Sequence, residues 1–333
     1  MADVLRVIQF GLGPIGSAVA RHVHERSGLE LVGGVDIDPD AIGKDVGDVI
    51  GLGSKLGFPV CESLEGALAA TALGADVVVH TTSSYFDLFK DQILEILDAR
   101  LDIVSTAEEL SFPWLSHADE AKEVDEAAKR MGKTVLGTGV NPGYLMDALP
   151  LFLTAICQRV ERIEVTRVIN ASLRRGPFQA KIGSGQSVEE FKRRMAAGRM
   201  GHVGLPESMD MVFDALGRKM VGYETKVEPI IADGTVTTEH FSVSQGYVRG
   251  LRQVARGYAD SGEFLTLTFV AALDAGDDGD TIVIRGRPDL EVKLSGTNGD
   301  IATVAIAVNA IRRVHEAEPG LVTMRDLPLI TLW

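Results

Sequence analysis

The start of the chain constrains the fold more than any other stretch, because it places a glycine-rich turn between a strand and a helix. Residues 4–10 are apolar and rich in β-branched side chains, which predicts a buried strand. The sequence GLGPIG follows at 11–16, and a helical pattern begins directly after it. This order predicts a turn in which Gly11 bends the chain, Gly13 lets a pyrophosphate approach and Gly16 packs against the strand.

The helix start and the next strand complete a dinucleotide-binding pattern. The first helical turn, at Pro14 and Ile15, is expected to offer N–H groups and the positive end of the helix dipole to phosphates. A second apolar strand, 29–35, leads into Asp36. An acidic residue there can accept both ribose hydroxyls and repels a 2′-phosphate, so NAD is favoured and NADP is the alternative. Lys44 is the nearest cation for such a phosphate.

Length and composition bound the remaining possibilities. A chain of 333 residues is typical of roughly two domains. It has no apolar run of about 18 residues and no secretory pattern. No membrane segment is therefore expected, and we expect a cytoplasmic location. The two cysteines, Cys61 and Cys157, are too few for a zinc site, and 274–280 lacks the spacing of a calcium loop, so no metal is expected. The net charge of −14 argues against nucleic acid and anionic membranes as partners.

Polar turns follow the other predicted strands of the first domain. Residues 75–80, 102–105 and 133–136 form short apolar runs. Ligands of an open α/β sheet lie beyond the carboxyl ends of its strands, so the turns after these runs are expected beside the cofactor. The cofactor-binding residues predicted in these turns are Thr81, Thr82, Ser83, Thr106, Asn141 and Pro142. Ser83 also suits the N-cap of the following helix, and 141–142 also suits a hinge between domains.

Glu108 and Glu109 follow strand 102–105 and are the candidate catalytic residues. Two adjacent carboxylates at the carboxyl end of a sheet strand are unlike an ordinary surface charge run. Neighbouring side chains in such a segment point in different directions, so one carboxylate can face the site while the other faces solvent. His80 ends an apolar strand and is expected to be a core histidine rather than a catalytic one.

The pattern changes after residue 150, which predicts a second domain of a different kind. An apolar helix over 144–156 is expected to leave the first domain. A long helix at 298–316 and an apolar tail are expected to return to it. Alternating strands and amphipathic helices between them predict an α+β unit. The predicted fold is α/β: a Rossmann doubly wound parallel sheet at 1–150, an α+β substrate and dimerisation domain at 151–297, and a returning helix and tail at 298–333.

Several motifs together resemble one group of reductases. These are GLGPIG at the start, TAEELSFPW at 106–114, GTGVNPGYLMDALP at 137–150, ASLRRGPFQAKIGSG at 171–185 and GLVTMRDLP at 320–328. They are similar to 2,4-diaminopentanoate dehydrogenase and native amine dehydrogenases, which share the broader fold of dihydrodipicolinate reductase. The resemblance implies NAD(P)-dependent oxidative deamination of a small amine, reductive amination of a ketone or aldehyde with ammonia in reverse, a homodimer, and a glutamate acid/base at Glu108 or Glu109.

The resemblance leaves the substrate open. The paired-histidine motif and the lysine-containing PSGT segment of dihydrodipicolinate reductase are absent from this sequence. A substrate carboxylate suits Arg174, Arg175 or Lys181, although the two arginines equally suit a structural salt bridge. An apolar pocket for a simple ketone is predicted from Tyr144, Phe152, Phe178 and His240. The rival functions are 2,4-diaminopentanoate dehydrogenase proper, a carbonyl reductase and a non-catalytic NAD sensor on the same fold.

Overall fold

The computed structural model describes residues 4–198 and 200–333, and the chain divides into two compact units. One unit joins the chain up to Tyr144 to residues 299–333, and the other consists of Leu145–Asn298. The chain therefore leaves the first unit a few residues before position 150. Within the described residues, no helix combines the length and the apolar character that a membrane span requires.

Strands and helices alternate in the amino-terminal part of the first unit, as βαβ units require. The strands are buried and apolar because helices cover both faces of the sheet: Ile8 faces one helical layer and Val7 faces the other. A 3₁₀ turn over Glu108–Leu110 follows the fifth strand. The elements are β1 (Leu5–Phe10), α1 (Pro14–Glu25), β2 (Leu29–Val35), α2 (Val46–Val49), β3 (Val60–Cys61), α3 (Leu64–Ala70), β4 (Val77–His80), α4 (Phe86–Asp98), β5 (Asp102–Ser105), α5 (Ala118–Met131) and β6 (Thr134–Gly137).

The second unit is built on a six-stranded mixed sheet. Its elements are α6 (Ala148–Leu153), β7 (Arg159–Asn170), α7 (Gly176–Lys181), α8 (Val188–Ala196), α9 (Leu205–Ala215), β8 (Gly222–Ile231), β9 (Val236–Thr237), β10 (Ser242–Val243), β11 (Val248–Ala259), β12 (Gly262–Ala272), β13 (Gly279–Arg287) and β14 (Leu290–Ser295). The strand order is β14-β13-β7-β12-β11-β8, and only β7 and β12 are parallel neighbours. Alternate side chains such as Val165 pack with Phe191 and Phe213 from the helices, which places the core on one face of the sheet.

The end of the chain completes the first unit. Helix α10 (Gly299–His315) packs against α1, and β15 (Gly320–Val322) pairs in parallel with β6. The sheet then has seven parallel strands in the order β15-β6-β5-β4-β1-β2-β3. The tail packs on the same layer: Trp333 Nε1 donates to the carbonyl of Asn309 at 3.0 Å, and the Arg312 guanidinium lies 4.2 Å from the centre of the indole ring.

The predicted fold class is confirmed: a Rossmann-type parallel sheet and a separate α+β unit are both present. The helix predicted over 144–156 is wrong in extent. It begins only at Ala148, because the carboxylate of Asp147 accepts the Ala148 N–H at 2.7 Å and caps the helix there. Strands β8, β11 and β15 were not predicted. In β8, charged residues occupy alternate positions, as in Glu224-Thr225-Lys226. They lower the mean hydropathy of this segment, so it lacks the apolar run that indicates a strand.

Gly137 provides a test of how firmly the 3₁₀ turn is held on the sheet. A Cβ atom at Gly137 would lie 2.4 Å from the C and O atoms of Leu110, and this backbone cannot rotate away as a side chain would. We expect Gly137→Ala to lower the free energy of unfolding by about 2–3 kcal/mol, measured by urea denaturation. Gly222→Ala, whose Cβ would meet nothing within 4 Å, should change it by less than about 0.5 kcal/mol. Equal effects of the two substitutions would show that the 3₁₀ turn can move away from the sheet without a measurable loss of stability.

Candidate functional site

Close backbone contacts hold the glycine-rich turn after β1. Gly11 has a φ of +92°, and a Cβ atom there would lie 2.7 Å from the carbonyl oxygen of Thr81. A Cβ atom on Gly16 would lie 1.9 Å from the carbonyl oxygen of Gly11, so α1 starts as close to the turn as a glycine permits. At Gly13, by contrast, a Cβ atom would meet nothing within 4 Å. The first and third glycines are therefore required by the turn, and the second leaves open backbone.

This open backbone is the N-cap of α1, and the helix start carries the donors that a phosphate needs. Within residues 4–198 and 200–333, no side chain caps the helix, and Pro14 at its first position has no N–H. The N–H groups of Ile15 and Gly16 precede the first intrahelical bond, which Ser17 N–H donates to the carbonyl of Gly13 at 2.8 Å. Open backbone, uncapped donors and the positive dipole end together fit the pyrophosphate of a dinucleotide.

Asp36 follows β2 and lies beside the same turn. Its Oδ2 accepts the Leu12 N–H, and its Oδ1 accepts the Asp38 N–H at 2.9 Å. The carboxylate is thus fixed next to the glycine turn, at the end of the neighbouring strand, where such folds bind the adenosine ribose. Asp38 and Asp40 are exposed close by in sequence and add negative charge. The residues present therefore fit a dinucleotide with free ribose hydroxyls.

The turns after β4, β5 and β6 lie side by side at one edge of the sheet. Thr81 N–H donates to Phe10 O at 2.8 Å, Thr106 N–H to His80 O at 3.0 Å, and Thr138 N–H to Ser105 O at 2.8 Å. Each turn is therefore bonded to the end of the neighbouring strand. The predicted residues Asn141 and Pro142 are buried in the turn that follows β6 and are joined by a cis peptide bond.

Three of the hydroxyl groups predicted to bind the cofactor, those of Thr81, Thr82 and Ser83, are bonded within the protein. Thr81 Oγ1 donates to the carbonyl of Gly11 at 2.9 Å, Thr82 Oγ1 donates to Gln92 Oε1 at 2.7 Å, and Ser83 Oγ accepts the Tyr85 N–H at 3.2 Å. These side chains shape the turns. Sequence reasoning missed Gln9, whose amide nitrogen lies 2.9 Å from Thr81 Oγ1. A polar residue inside the apolar strand β1 was the available signal.

The two adjacent glutamates occupy different environments in the 3₁₀ turn. Glu109 Oε2 accepts the Phe86 N–H at 2.6 Å, at the start of α4, and lies 3.2 Å from His117 Nε2. The Glu108 carboxylate has no hydrogen-bond or ion-pair partner in the part of the chain that the structure describes, and it is half-buried. Ser111 Oγ donates to the carbonyl of Glu108 at 2.8 Å and closes the turn. Glu109 therefore holds the turn, and Glu108 keeps a carboxylate available.

His80 is a core histidine, as the sequence predicts. Its side chain is fully buried, and hydrogen bonds reach both ring nitrogens. Burial lowers the pKa of His80 to about 4, and the hydrogen bond to Gln92, which raises the pKa, is the smaller effect. The imidazole is therefore neutral at physiological pH. A neutral, enclosed imidazole does not exchange protons with a substrate.

Three of the five predicted substrate-pocket residues are neighbours in the second unit. The Arg174 guanidinium lies 4.5 Å from the centre of the Phe178 ring, and a Cβ atom on Gly176 would lie 3.4 Å from His240 Cγ. Arg174 is buried, Phe178 is half-buried and His240 is exposed. The other two predicted residues are exposed, Phe152 on α6 and Tyr144 as the last residue of the first unit before the crossing.

The fold and the glycine-rich turn define a Rossmann-type dinucleotide-binding protein, and two family models identify its family. Residues 5–104 match the model described as dihydrodipicolinate reductase, N-terminus. Residues 144–333 match the model described as 2,4-diaminopentanoate dehydrogenase C-terminal domain. The chain belongs to the 2,4-diaminopentanoate dehydrogenase family.

Relatives over the whole chain agree with this assignment. The 2,4-diaminopentanoate dehydrogenase of Acetoanaerobium sticklandii is 32% identical, over 98% of this chain and 94% of that protein. An amine dehydrogenase of Streptomyces virginiae is 24% identical, over 98% and 97%. The solved structure of an amine dehydrogenase from Mycobacterium smegmatis has the same fold, with a TM-score of 0.87, 24% identity and coverage of 99% and 97%. The predicted family resemblance is confirmed, and the chain is an NAD(P)-dependent oxidoreductase acting on amines.

Alanine substitutions test the different roles of the two glutamates in stability. Glu109→Ala removes the carboxylate that caps α4 and pairs with His117, so we expect the free energy of unfolding to fall by about 1–2 kcal/mol. Glu108→Ala removes a side chain without partners in the described residues and should change it by less than about 0.5 kcal/mol. Chemical denaturation of both variants measures the difference. A larger loss for Glu108→Ala would contradict this division.

Proposed function

We propose that this chain oxidatively deaminates a small primary amine, or aminates a small ketone or aldehyde in reverse, with Glu108 as the acid/base. The observation that carries the proposal is the difference between the two glutamates: Glu109 is bonded to the start of α4, whereas Glu108 has no partner among the described residues. Glu108 also lies in the turn beyond β5, next to the turn after β4, at the edge where this fold binds the reacting end of its ligands.

Glu108 has several proton transfers to perform. A dinucleotide held at the glycine turn and Asp36 would supply hydride transfer from the amine-bearing carbon, and hydride to it in the reverse direction. Glu108 first takes a proton from the substrate ammonium, which leaves a neutral amine. Glu108 releases this proton to solvent, and its carboxylate then removes a proton from the water that attacks the iminium carbon. Glu108 returns that proton to the nitrogen of the resulting carbinolamine, and it accepts the hydroxyl proton as the C=O bond forms and ammonia leaves. In reverse, Glu108 deprotonates ammonium so that ammonia can attack the carbonyl. Such general acid–base catalysis contributes about 10²–10⁴-fold in rate.

The residues around the glycine turn favour NAD over NADP. The turn at Gly11, Gly13 and Gly16 and the start of α1 at Pro14 and Ile15 take the pyrophosphate. Asp36 takes the ribose hydroxyls, and its negative charge opposes a 2′-phosphate. Ile37 follows Asp36 in the place where an NADP-binding site would place an arginine, and it is exposed.

The substrate that we propose is a small primary amine. Arg174, Phe178 and His240 are neighbours within the second unit, and this cluster is the proposed recognition element for the carbon skeleton of the amine. Phe152 and Tyr144 remain candidate substrate residues from the sequence. Arg174 suits a substrate carboxylate such as that of a diamino acid, the substrate type in the name of the relative with 32% identity. The apolar members suit a simple ketone, and the test below separates these two substrate types.

The proposal includes a homodimer formed through the sheet of the second unit. The core takes alternate side chains from one face of this sheet. On the opposite face, Thr281, Thr166, Thr268 and Val254 are successive partners in the strand register. Ion pairs such as Arg162–Glu263, at 2.6 Å, flank this row. A β-branched centre with flanking charges suits packing against the same face of a second copy.

Glu108→Gln tests the acid/base proposal, because it removes the proton acceptor and keeps the side-chain size. We expect ammonium-dependent NADH oxidation at alkaline pH to fall by at least about 10²-fold. The substrates to test are cyclohexanone, 4-oxopentanoate and a small aldehyde, and NADH binding should persist in the variant. Glu109→Gln is the matched control: its amide oxygen can still accept the Phe86 N–H, so most activity should remain.

The same assay separates the rival functions. Loss of activity in Glu109→Gln but not in Glu108→Gln would transfer the acid/base role to Glu109. NADH oxidation that does not depend on ammonium would identify a carbonyl reductase. NADH binding without turnover of any of these substrates would support the sensor. Turnover of 4-oxopentanoate but not of cyclohexanone would support a carboxylate-binding role for Arg174.

A substitution at the centre of the sheet face tests the dimer. Thr166→Arg places a long charged side chain in the β-branched row, so we expect the dimer to dissociate into monomers, measured by sedimentation velocity. Thr235→Arg, on an exposed loop of the same unit, is the matched control and should leave the dimer intact. A monomeric parent protein, or a dimeric Thr166→Arg variant, would contradict the proposed interface.

A further inference from the structure

A side-chain network joins the turns that follow β4 and β5, and the fully buried His80 lies at its centre. Nδ1 of His80 lies 2.9 Å from Ser105 Oγ, on β5. Nε2 lies 2.8 Å from both Gln92 Oε1 on α4 and Thr82 Oγ1 in the turn after β4. Ser105 Oγ also accepts the Ala107 N–H at 3.1 Å. The ring therefore connects two turns that belong to different strands of the first unit.

The acceptors around the ring determine which nitrogen carries the proton. Gln92 Oε1 can only accept, and it accepts the Thr82 O–H at 2.7 Å, so Nε2 must be protonated to bond to it. Nδ1 is then an acceptor for the Ser105 O–H, which leaves a lone pair of Ser105 Oγ for the Ala107 N–H. Every hydrogen bond of the network thus has one direction, and each polarises the next.

The two ends of the network are the two turns that the reaction requires. Thr82 lies in the turn that the sequence predicts to contact the cofactor. Ala107 directly precedes Glu108, and its N–H is fixed by Ser105 rather than by a neighbouring strand. Thr106 N–H also donates to the carbonyl of His80 at 3.0 Å. A displacement of either turn therefore has to break a hydrogen bond to His80 or Ser105, which are both fully buried, and unpaired polar groups are costly at buried positions.

We infer that His80 is a positioning residue: as the Nε2–H imidazole, it sets the spacing between the turn at Thr82 and the turn that presents Glu108. This inference rests on the proposed function of Glu108. It assigns a role to a buried polar residue that takes no part in proton transfer. Small displacements matter here, because misplacing a catalytic group by about 1 Å can lower a rate by about 10²-fold.

Two conservative substitutions separate the two ends of the network. His80→Asn keeps an acceptor near the position of Nδ1 and loses the bonds of Nε2, so it should weaken NADH binding more than it lowers kcat. His80→Gln keeps a donor near the position of Nε2 and loses the bond to Ser105, so it should lower kcat by about tenfold or more, with a smaller change in NADH affinity. His80→Phe, which keeps the ring volume and loses both ends, should show both losses.

A packing control and a spectroscopic measurement keep the test independent of folding and of activity. Phe89, whose ring centroid lies 6.0 Å from that of His80, is buried and outside the network. Phe89→Leu should lower the Tm yet change kcat and the NADH dissociation constant by less than about threefold. In the unsubstituted protein, ¹⁵N NMR of the His80 imidazole should show the neutral Nε2–H tautomer. The spectrum should not change between pH 6 and pH 8, because the pKa of His80 is about 4.

Three results would overturn the inference. One is an Nδ1–H tautomer, which reverses the direction of the network. Another is the same pattern of losses in His80→Asn and His80→Gln. The third is losses in all variants, including Phe89→Leu, that follow the Tm alone. If the parent protein has no amine dehydrogenase activity, the proposed function fails instead, and the tautomer and the NADH affinities of the variants still test the network.

Discussion

The contact between Gly11 and the end of β4 is the constraint on which the rest of the first unit depends. Gly11 lies against the carbonyl of Thr81, and Thr81 Oγ1 donates to the carbonyl of Gly11. Gly16 lies against that same carbonyl, so the start of α1 is fixed at the same point. Three separate elements therefore meet within a few ångströms, and no side chain fits between them. This closeness leaves the backbone at Gly13 open and aligns the helix start with it.

The second constraint is the 3₁₀ turn, which makes two adjacent carboxylates unequal. Gly137 lets the turn lie directly on the backbone of β6, and Glu109 ties it to the start of α4. A carboxylate at a helix start is stabilised by the N–H hydrogen bond and by the helix dipole, so these two interactions hold the Glu109 side chain at the start of α4. The side chain of Glu108 has no such bond within the described residues. The inequality comes from the turn and not from the chemistry of the two residues.

Much of the first unit could be predicted from the sequence, because its signals are local. Apolar β-branched runs gave the buried strands, and the glycine spacing gave the turn and the start of α1. The second unit was less predictable: β8 carries charged residues at alternate positions, β11 is interrupted by Arg249, Arg252 and Arg256, and these two strands pair with each other across the intervening stretch 232–247. For the site, the sequence singled out Thr81 and Glu109 correctly as residues of the sheet edge. The sequence could not show that these side chains form hydrogen bonds to Gly11 and Phe86, because such bonds depend on distances in the folded chain.

The hydrogen bonds that these polar side chains form within the protein explain how a site can be both rigid and reactive. Thr81, Thr82, Glu109 and His80 all use their polar atoms on neighbouring turns, and burial keeps His80 neutral. The bonds of the fully buried His80 cannot be lost without leaving buried polar groups unpaired, which favours one geometry of the turns that it joins. Among the described residues at this edge, the groups without such bonds include the open backbone at Gly13, the first N–H groups of α1 and the carboxylate of Glu108. Because the supporting groups are already satisfied, binding energy is not needed to organise them and is available for the substrate and the transition state.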